Sequence, residues 1–374
     1  MRIAIFVSYQ PPHIGGIESA VANQARGLAA MGARVEVVTS ACDSAPHTGT
    51  QDGYVIHRLP AWNYFERRLD APFPIFTPQL LTRAYHVVKR ADVVHIHDAF
   101  YLTSWVAALW CRLLGKPLVM TQHVDAIPHP NRLVAHAQKA VYASAARYIF
   151  SISKRVIVLN SRVRAFLLDR RVDDSKIVFI PNGIDIAAYS PVSKAKKKML
   201  RRELGLPTDA MLALFIGRFV PKKGFATLMA MPEIPGTHLV FAGGAFTSTD
   251  RADRHFLGKV PHSETPKIYQ ACDILVLPSE GEGFPVTIQE AMASGLPVIT
   301  SDDPAYGLYR LGAEEIAFTR ATADDLREAV MSLAADEPRR QRMSEASLRY
   351  AQENFALRHN CIRLMSIYRE LCGA

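Results

Sequence analysis

Two carboxylates eight residues apart, in Glu282-Gly-Phe-Pro-Val-Thr-Ile-Gln-Glu290, carry the clearest chemical signal in this chain. The apolar run Asp273–Pro278 before them reads as a buried strand, and Ser279-Glu280-Gly281 as the loop that leaves it. Pro285 suits the first helical position, where a missing N–H costs nothing. The helix expected over Val286–Ser294 ends at Gly295, with Pro297 just beyond. Glu282 is then held in a loop, and Glu290 lies about one turn inside the helix. The free N–H groups of Phe284, Val286 and Thr287 at that helix start form a natural anion site. Two acceptors beside several donors suit a ligand that bears both sugar hydroxyls and phosphate. A helix-start acid followed by a solvated helix acid would give the same spacing, so what decides lies elsewhere in the chain.

A second set of groups lies in Ile216-Gly217-Arg218-Phe-Val-Pro-Lys-Lys223-Gly224, where another strand leaves its sheet. Arginine offers a planar fork for phosphate oxygens and lysine a point charge. In a glycine-bounded loop, Arg218 and Lys223 can converge on one diphosphate, with Lys222 the competitor for the second role. Gly15-Gly16 follows the first strand and opens a helix, so backbone can approach a phosphate there. A tight turn that needs glycine is the commoner reason for such a pair. Glu18 reads as a first-turn acid that complements the helix dipole. His95-Ile-His97-Asp98 ends a strand with both histidines on one face, yet no third ligand at zinc spacing follows. A structural or cleft-lining role is expected there, and no metal. Thr121-Gln-His123 ends the next strand, which projects His123 toward the same cleft as a hydroxyl-contacting or proton-handling group.

The elements that must position these groups come in two series. Arg2–Ser8, Arg34–Thr39, Tyr54–Leu59, Val93–Ile96, Leu118–Thr121, Val156–Leu159 and Ile177–Ile180 are short β-rich runs separated by helical stretches. The alternation restarts at Met211–Gly217, His238–Ala242, Asp273–Leu277 and Pro297–Thr300. Such patterns make doubly wound parallel sheets, so the fold class is α/β with two Rossmann-like domains facing a cleft. A length of 374 residues agrees with two domains. The stretch from Tyr189 through the basic run to Arg202 is the expected linker. A final helix over roughly Glu345–Leu371 is long for its domain and would cross back to the first.

Composition narrows the classes further. Five scattered cysteines form no C-x-x-C pair, which fits reduced thiols and a cytoplasmic setting. The N-terminal apolar stretch is too short for a signal peptide. The best membrane-span candidate, Tyr101–Met120, is broken by Arg112 and Lys116, and reads as a helix followed by a strand. The net charge of +9 is uneven: residues 1–188 carry 21 basic and 13 acidic side chains, and the remainder 23 and 22. That bias favours an anionic partner of the first domain: phosphate, an anionic lipid head group or nucleic acid. No nucleic-acid-binding module is present, so nucleic acid is not expected. There is no Walker A loop. Val286 stands where the dinucleotide fingerprint wants glycine, and no Asp-x-Asp pair exists to hold a bridging metal.

Taken in order, Gly15-Gly-Ile-Glu18, His123, Ile180-Pro-Asn-Gly-Ile-Asp185, Gly217-Arg218…Lys223-Gly224 and Glu282…Glu290 with Ala291-Met-Ala-Ser-Gly-Leu-Pro-Val298 resemble family 4 of the retaining glycosyltransferases. The resemblance spans nearly the whole chain and implies the GT-B fold. It implies an acceptor-binding domain over 1–188, a nucleotide-sugar domain over 189–355, and a C-terminal helix at about 356–374 that returns to the first. It assigns the donor diphosphate to Arg218 and Lys223 with the backbone of Gly15 and Gly16, and the ribose to Glu290. Glu282 would hold the donor sugar's hydroxyls, His123 would lie near the reacting sugar, and Val260 matches the position whose backbone contacts the base. The implied donor is a UDP- or GDP-linked hexose, used without cofactor or metal, and the implied acceptor is a hydroxyl. The basic first domain, the aromatic loop from Trp62 to Phe76 and the amphipathic stretch Asn131–Phe150 add a lipid-linked or phosphate-bearing acceptor. They also add peripheral association with the anionic inner face of a membrane. Two departures stand out: Phe241-Ala-Gly-Gly-Ala-Phe246 replaces the usual Gly-x-Gly segment, and Pro285 stands where many relatives have glycine. A nucleotide-sugar epimerase of the same architecture and a non-catalytic nucleotide-sugar-binding scaffold remain alternatives at this point.

Overall fold

The computed structural model describes residues 1–13, 15–42, 46–69, 71–125, 131–245 and 250–373. The chain forms two compact units, Met1–Gly183 with Leu357–Ala374, and Ile184–Ala356. In the first, the runs apolar on both faces become central strands that helices can cover on either side. The strands of this unit are β1 (Arg2–Phe6), β2 (Arg34–Ser40), β3 (His47–Gln51) and β4 (Tyr54–Leu59), then the short antiparallel pair β5 (Ala61–Trp62) and β6 (Ile75–Phe76). β7 (Val93–His97), β8 (Leu118–Gln122), β9 (Arg155–Val158) and β10 (Ile177–Phe179) follow. The sheet order is β10-β9-β8-β7-β1-β2-β4-β3, parallel except for β3, which runs antiparallel on β4. The sequence HTGTQ of β3 has almost no apolar character, so hydrophobic periodicity misses it. Ile3, Ile5, Val35 and Val37 meet Val21 and Leu28 of the helix Gly16–Ala30 and Cys361 and Tyr368 of the C-terminal helix in one buried core.

The second unit has β11 (Met211–Ile216), β12 (Thr237–Ala242), β13 (Arg254–Phe256), β14 (Ile274–Leu277), β15 (Val298–Ser301) and β16 (Ile316–Thr319). Its order is β13-β12-β11-β14-β15-β16, with every pair parallel. In each unit the strand order reverses beside the first strand: between β1 and β7, and between β11 and β14. Ligands of such sheets bind outside the strands' carboxyl ends at that switch point.

Three expectations about the chain's organisation need correcting. The stretch Tyr189–Arg202 is no linker, because Lys194–Glu203 folds as a helix of the second unit, with Arg201 Nη2 2.6 Å from Asp273 Oδ2. The chain crosses between units after Gly183, rather than after residue 188, and returns after Ala356. The final helix is two helices, Glu337–Asn354 in the second unit and Leu357–Cys372 in the first. The Pro-Asn-Gly motif builds this crossing: Asn360 Nδ2 donates to the Pro181 carbonyl at 2.8 Å, and a Cβ on Gly183 would fall 2.8 Å from Leu357 Cα. Ile184 then pairs with Ala356 in a single parallel bridge. Among the described residues no helix is long and apolar enough to cross a membrane. Tyr101–Met120 supplies the helix Leu102–Leu114 and most of β8.

Candidate active site

At the second unit's switch point, the loop after β11 carries the cations and the loop after β14 carries the acid. Gly224 has φ 72°, and a Cβ there would lie 2.5 Å from the Pro278 carbonyl oxygen. A Cβ on Gly243 (φ 103°) would lie 2.6 Å from the Gly217 carbonyl oxygen. The basic loop is thus pressed onto the ends of β12 and β14, and the Glu280 N–H donates to the Lys222 carbonyl at 2.9 Å. This gives the Gly243-Gly244 segment a packing role; residues 246–249 of the same loop lie outside the described residues. Lys223 Nζ stands 2.5 Å from Glu282 Oε2, and Lys222 Nζ 3.3 Å from Oε1. Arg218 is exposed and makes no ion pair among the described residues.

The helix after β14 runs Val286–Ala293, and Pro285 (φ −61°, ψ 135°) is its N-cap, one place earlier than expected. The extended ψ explains the shift: the Pro285 carbonyl already accepts from the Ile288 N–H at 3.1 Å, while its own backbone is not helical. The N–H groups of Val286 and Thr287 are therefore the first-turn donors that no intrahelical carbonyl can reach. Glu290 is buried, and both its oxygens are held: Oε1 accepts from Tyr189 Oη at 2.9 Å and Oε2 from Tyr269 Oη at 2.7 Å. Tyr189 Oη also lies 3.0 Å from Thr265 Oγ1. Burial raises the Glu290 pKa, against the lowering effect of Tyr269, His262 and Tyr189. Thr287 Oγ1, Ser279 Oγ and both amide atoms of Gln289 are buried without a protein partner near these strand ends. Val260 is half-buried in the loop after β13, behind Gly258, whose carbonyl accepts from the Gly243 N–H at 2.8 Å.

In the first unit, His123 follows β8 and is buried. Its Nε2 lies 2.9 Å from His97 Nδ1, and its backbone N–H donates to Asp98 Oδ1 at 2.7 Å. Burial holds the His123 pKa down at about 3, so its ring stays neutral near pH 7 and acts through hydrogen bonds. His95 is depressed to about 3 by burial, then by His123; it lies 2.5 Å from Tyr368 Oη and 2.7 Å from Thr121 Oγ1. Rings of His95 and His97 stack at 4.6 Å, as side chains two apart on one strand should. Among the described residues no cluster of His, Cys, Asp or Glu could hold a metal ion. Gly15 is the N-cap of its helix with φ −172°, extended backbone open to any residue, so no left-handed turn requires it. A Cβ there would instead meet the Glu18 carboxylate at 2.1 Å, while Gly16 has nothing within 4 Å. Glu18 is more than a dipole partner: it is buried, with its pKa raised by that burial.

The structure brings Lys223 and Glu282 into contact and puts Arg218, the Val286 helix start and Glu290 on the same strand ends. His123, Gly15 and Gly16 belong to the first unit. Sequence reasoning missed Tyr189 and Tyr269, and named Asp98 only within a motif given a structural or cleft-lining role. Tyr189 lies within the supposed linker, so its spacing could not signal a hydrogen bond to Glu290. Asp98 follows β7 at the topological place that Ser279–Glu282 occupy after β14, and that parallel was available from the strand alternation.

Two parallel-sheet α/β units of this kind define the GT-B class of glycosyltransferases. Residues 14–188 match the Glycosyltransferase Family 4 model and residues 196–349 the Glycosyl transferases group 1 model. The chain belongs to the family 4 glycosyltransferases. The D-inositol 3-phosphate glycosyltransferase of Corynebacterium aurimucosum is 27% identical over 412 aligned residues, covering 99% of this chain and 96% of that protein. The sucrose-phosphate synthase of Thermosynechococcus elongatus matches with a TM-score of 0.77 at 22% identity, over 99% of this chain and 98% of that one. Anabaena HepE in complex with UDP and glucose gives 0.76 at 16% identity, over 99% and 100%.

Proposed function

We propose that this glycosyltransferase moves a hexose from a UDP- or GDP-linked donor to a hydroxyl acceptor, with retention at the anomeric carbon and without a metal. The observation that carries the reading is the ion-paired group at the β11/β14 switch point, Lys222 and Lys223 on Glu282, beside the free Val286 helix start. A diphosphate arriving there competes for Lys223 and frees Glu282 to accept from the donor sugar's hydroxyls. Arg218 supplies the fork that two phosphate oxygens need. Glu290, already oriented by two tyrosines, keeps lone pairs for the ribose hydroxyls. The HepE structure, which holds UDP and glucose, supports the donor class.

Retention follows if the acceptor attacks on the face the diphosphate leaves. The bond from the anomeric carbon to the phosphate oxygen breaks, the bond to the acceptor oxygen forms on the same face, and the departing phosphate oxygen takes the acceptor's proton. Lys223 and Arg218 stabilise the charge on that oxygen. Support comes from the carboxylates themselves: Glu282 is held by lysines and Glu290 by tyrosines, which leaves neither set up as a free nucleophile. Arg218→Ala and Lys223→Ala should each lower turnover on the order of 10²-fold or more, as loss of a charge-stabilising donor does. Proton NMR of the product should show the donor's own anomeric configuration, and EDTA should leave the rate unchanged. Undiminished turnover in both variants, or an inverted product, would reject the mechanism.

The Corynebacterium relative is named for inositol 3-phosphate, which gives the expectation of a phosphate-bearing acceptor its best support. Association with an anionic membrane would rest on the exposed Trp62, Tyr64, Arg67 and Arg68 of the aromatic loop and on Arg132, Lys139 and Arg147 of Asn131–Phe150. The apolar side chains Tyr142, Ile149 and Phe150 of that stretch are buried, so packing already accounts for its amphipathic pattern. Failure to float with anionic vesicles would remove it.

A further inference from the structure

The first unit's switch point has the opposite charge from its domain. The loop after β1 and the helix it opens place Glu18 Oε1 3.8 Å from His13 Nε2, and that nitrogen is 3.6 Å from Glu66 Oε1. Tyr9 stacks on the His13 ring at 4.1 Å and donates to Asn63 Oδ1 at 2.7 Å, while Asn63 in turn donates to Glu66. Asp98, just past β7, is 1% exposed, with one oxygen on the His123 N–H and Oδ2 without a partner. It is part of the same group. Burial first, and then the charge of Glu18, raise the Asp98 pKa to about 7. Burial most of all, with Glu66 adding, raises that of Glu18.

The nearby arginines do not offset this. Arg58 is buried, with Nη2 on the Pro11 carbonyl at 2.5 Å. Arg67 and Arg68 are exposed on the short helix Tyr64–Leu69, and residues one and two apart on a helix do not share a face with Glu66. Tyr101 lies close enough to Asp98, Glu18 and Glu66 to feel their charges, and Phe73 stacks on it at 6.3 Å and stands edge-on to Phe100 at 5.2 Å.

We propose, on top of the glycosyltransferase reading, that Glu18, Glu66 and Asp98 with these rings form the acceptor subsite, and that it takes an uncharged, hydroxyl-bearing sugar while rejecting a phosphate at that position. Carboxylates accept strong hydrogen bonds from sugar hydroxyls, and aromatic faces cover a sugar's apolar C–H face. Once ionised, these carboxylates present like charge to a phosphate, the arrangement that excludes wrong partners. A phosphate elsewhere on the acceptor, as the name of the Corynebacterium relative suggests, would then lie outside these carboxylates.

The test uses the full chain with a saturating nucleoside diphosphate. The methyl glycosides of glucose, mannose and galactose are titrated against the matching hexose 6-phosphates, with affinities read by saturation-transfer NMR. At least one glycoside should bind tenfold or more tightly than its phosphorylated counterpart. Glu66→Gln, on a half-exposed side chain that folding tolerates, should shrink that preference several-fold, and adding Asp98→Asn should shrink it further. Phosphates that bind as well as or better than every glycoside, a preference untouched by either change, or no glycoside binding at all would overturn the proposal. Binding of the nucleoside diphosphate in the same samples reports on the second unit. Its absence would count against the glycosyltransferase reading itself, whatever the sugars do.

Discussion

The two switch points differ in charge, in how they are built and in how far the sequence exposes them. Between β11 and β14, cations in a glycine-bounded loop meet an acid, and two glycines have no substitute because backbone oxygens lie against them. Between β1 and β7, carboxylates meet the His13 imidazole and aromatic rings, and Gly16 faces open space. The first is a loop clamped onto its strands that we assign to phosphate, and the second a side-chain group that we assign to hydroxyls. The lesson is that net charge over a domain says little about its ligand: residues 1–188 are the basic part of the chain, and their switch point is acidic.

The largest expected effect separates the two lysines. Lys223→Ala should cost on the order of 10²-fold in turnover, whereas Lys222→Ala, at 3.3 Å from Glu282 and more exposed, should cost far less. Equal losses would break the assignment of Lys223. Next comes a matched pair of glycine changes. Gly224→Ala must adopt φ 72° against the Pro278 carbonyl and should destabilise by about 2 kcal/mol or more, with donor binding lost. Gly16→Ala should stay within about 0.5 kcal/mol of the parent in denaturant melts. A smaller effect is expected from Tyr189→Phe, which removes one donor from Glu290: the donor KM should rise several-fold to about tenfold with kcat little changed. An unchanged KM would mean that Glu290 does not meet the ribose.

The smallest effect concerns pH. Asp98 has a folded pKa of about 7, above its ordinary 3.8, so the folded state holds a proton that the unfolded chain has released. Its stabilising contribution is present below pH 4 and is lost as pH rises through 7. Asp98→Asn should therefore gain stability relative to the parent as pH increases from 4 to 7, read as a growing difference in Tm. A constant difference would place the Asp98 carboxylate in a less buried or better compensated setting.

Most of the central strands and the acid pair were legible because both depend on local pattern: continuous apolar runs, a strand–loop–helix start, glycine and proline punctuation. β3 and β13 were not, since HTGTQ and Arg254–Phe256 are edge strands held by pairing rather than by burial of an apolar face. The linker was misread because a run of lysines and arginines looks like solvated coil, while Leu200 and Arg201 in fact pack the helix Lys194–Glu203 onto its unit. The tyrosines on Glu290 come from residues 101 and 21 positions away in sequence, a convergence that spacing cannot show. The break in the final helix at Phe355 is likewise tertiary: its carbonyl takes the Ile184 N–H at the crossing between units.

The most direct measurement is thermal unfolding with UDP, GDP and ADP, with EDTA present, in the parent and in Lys223→Ala. One diphosphate should stabilise the parent, by about 2.7 kcal/mol at a hundred times its dissociation constant, and lose most of that effect in the variant. No stabilisation by any of the three, or an equal shift in Lys223→Ala, would contradict a diphosphate site between β11 and β14.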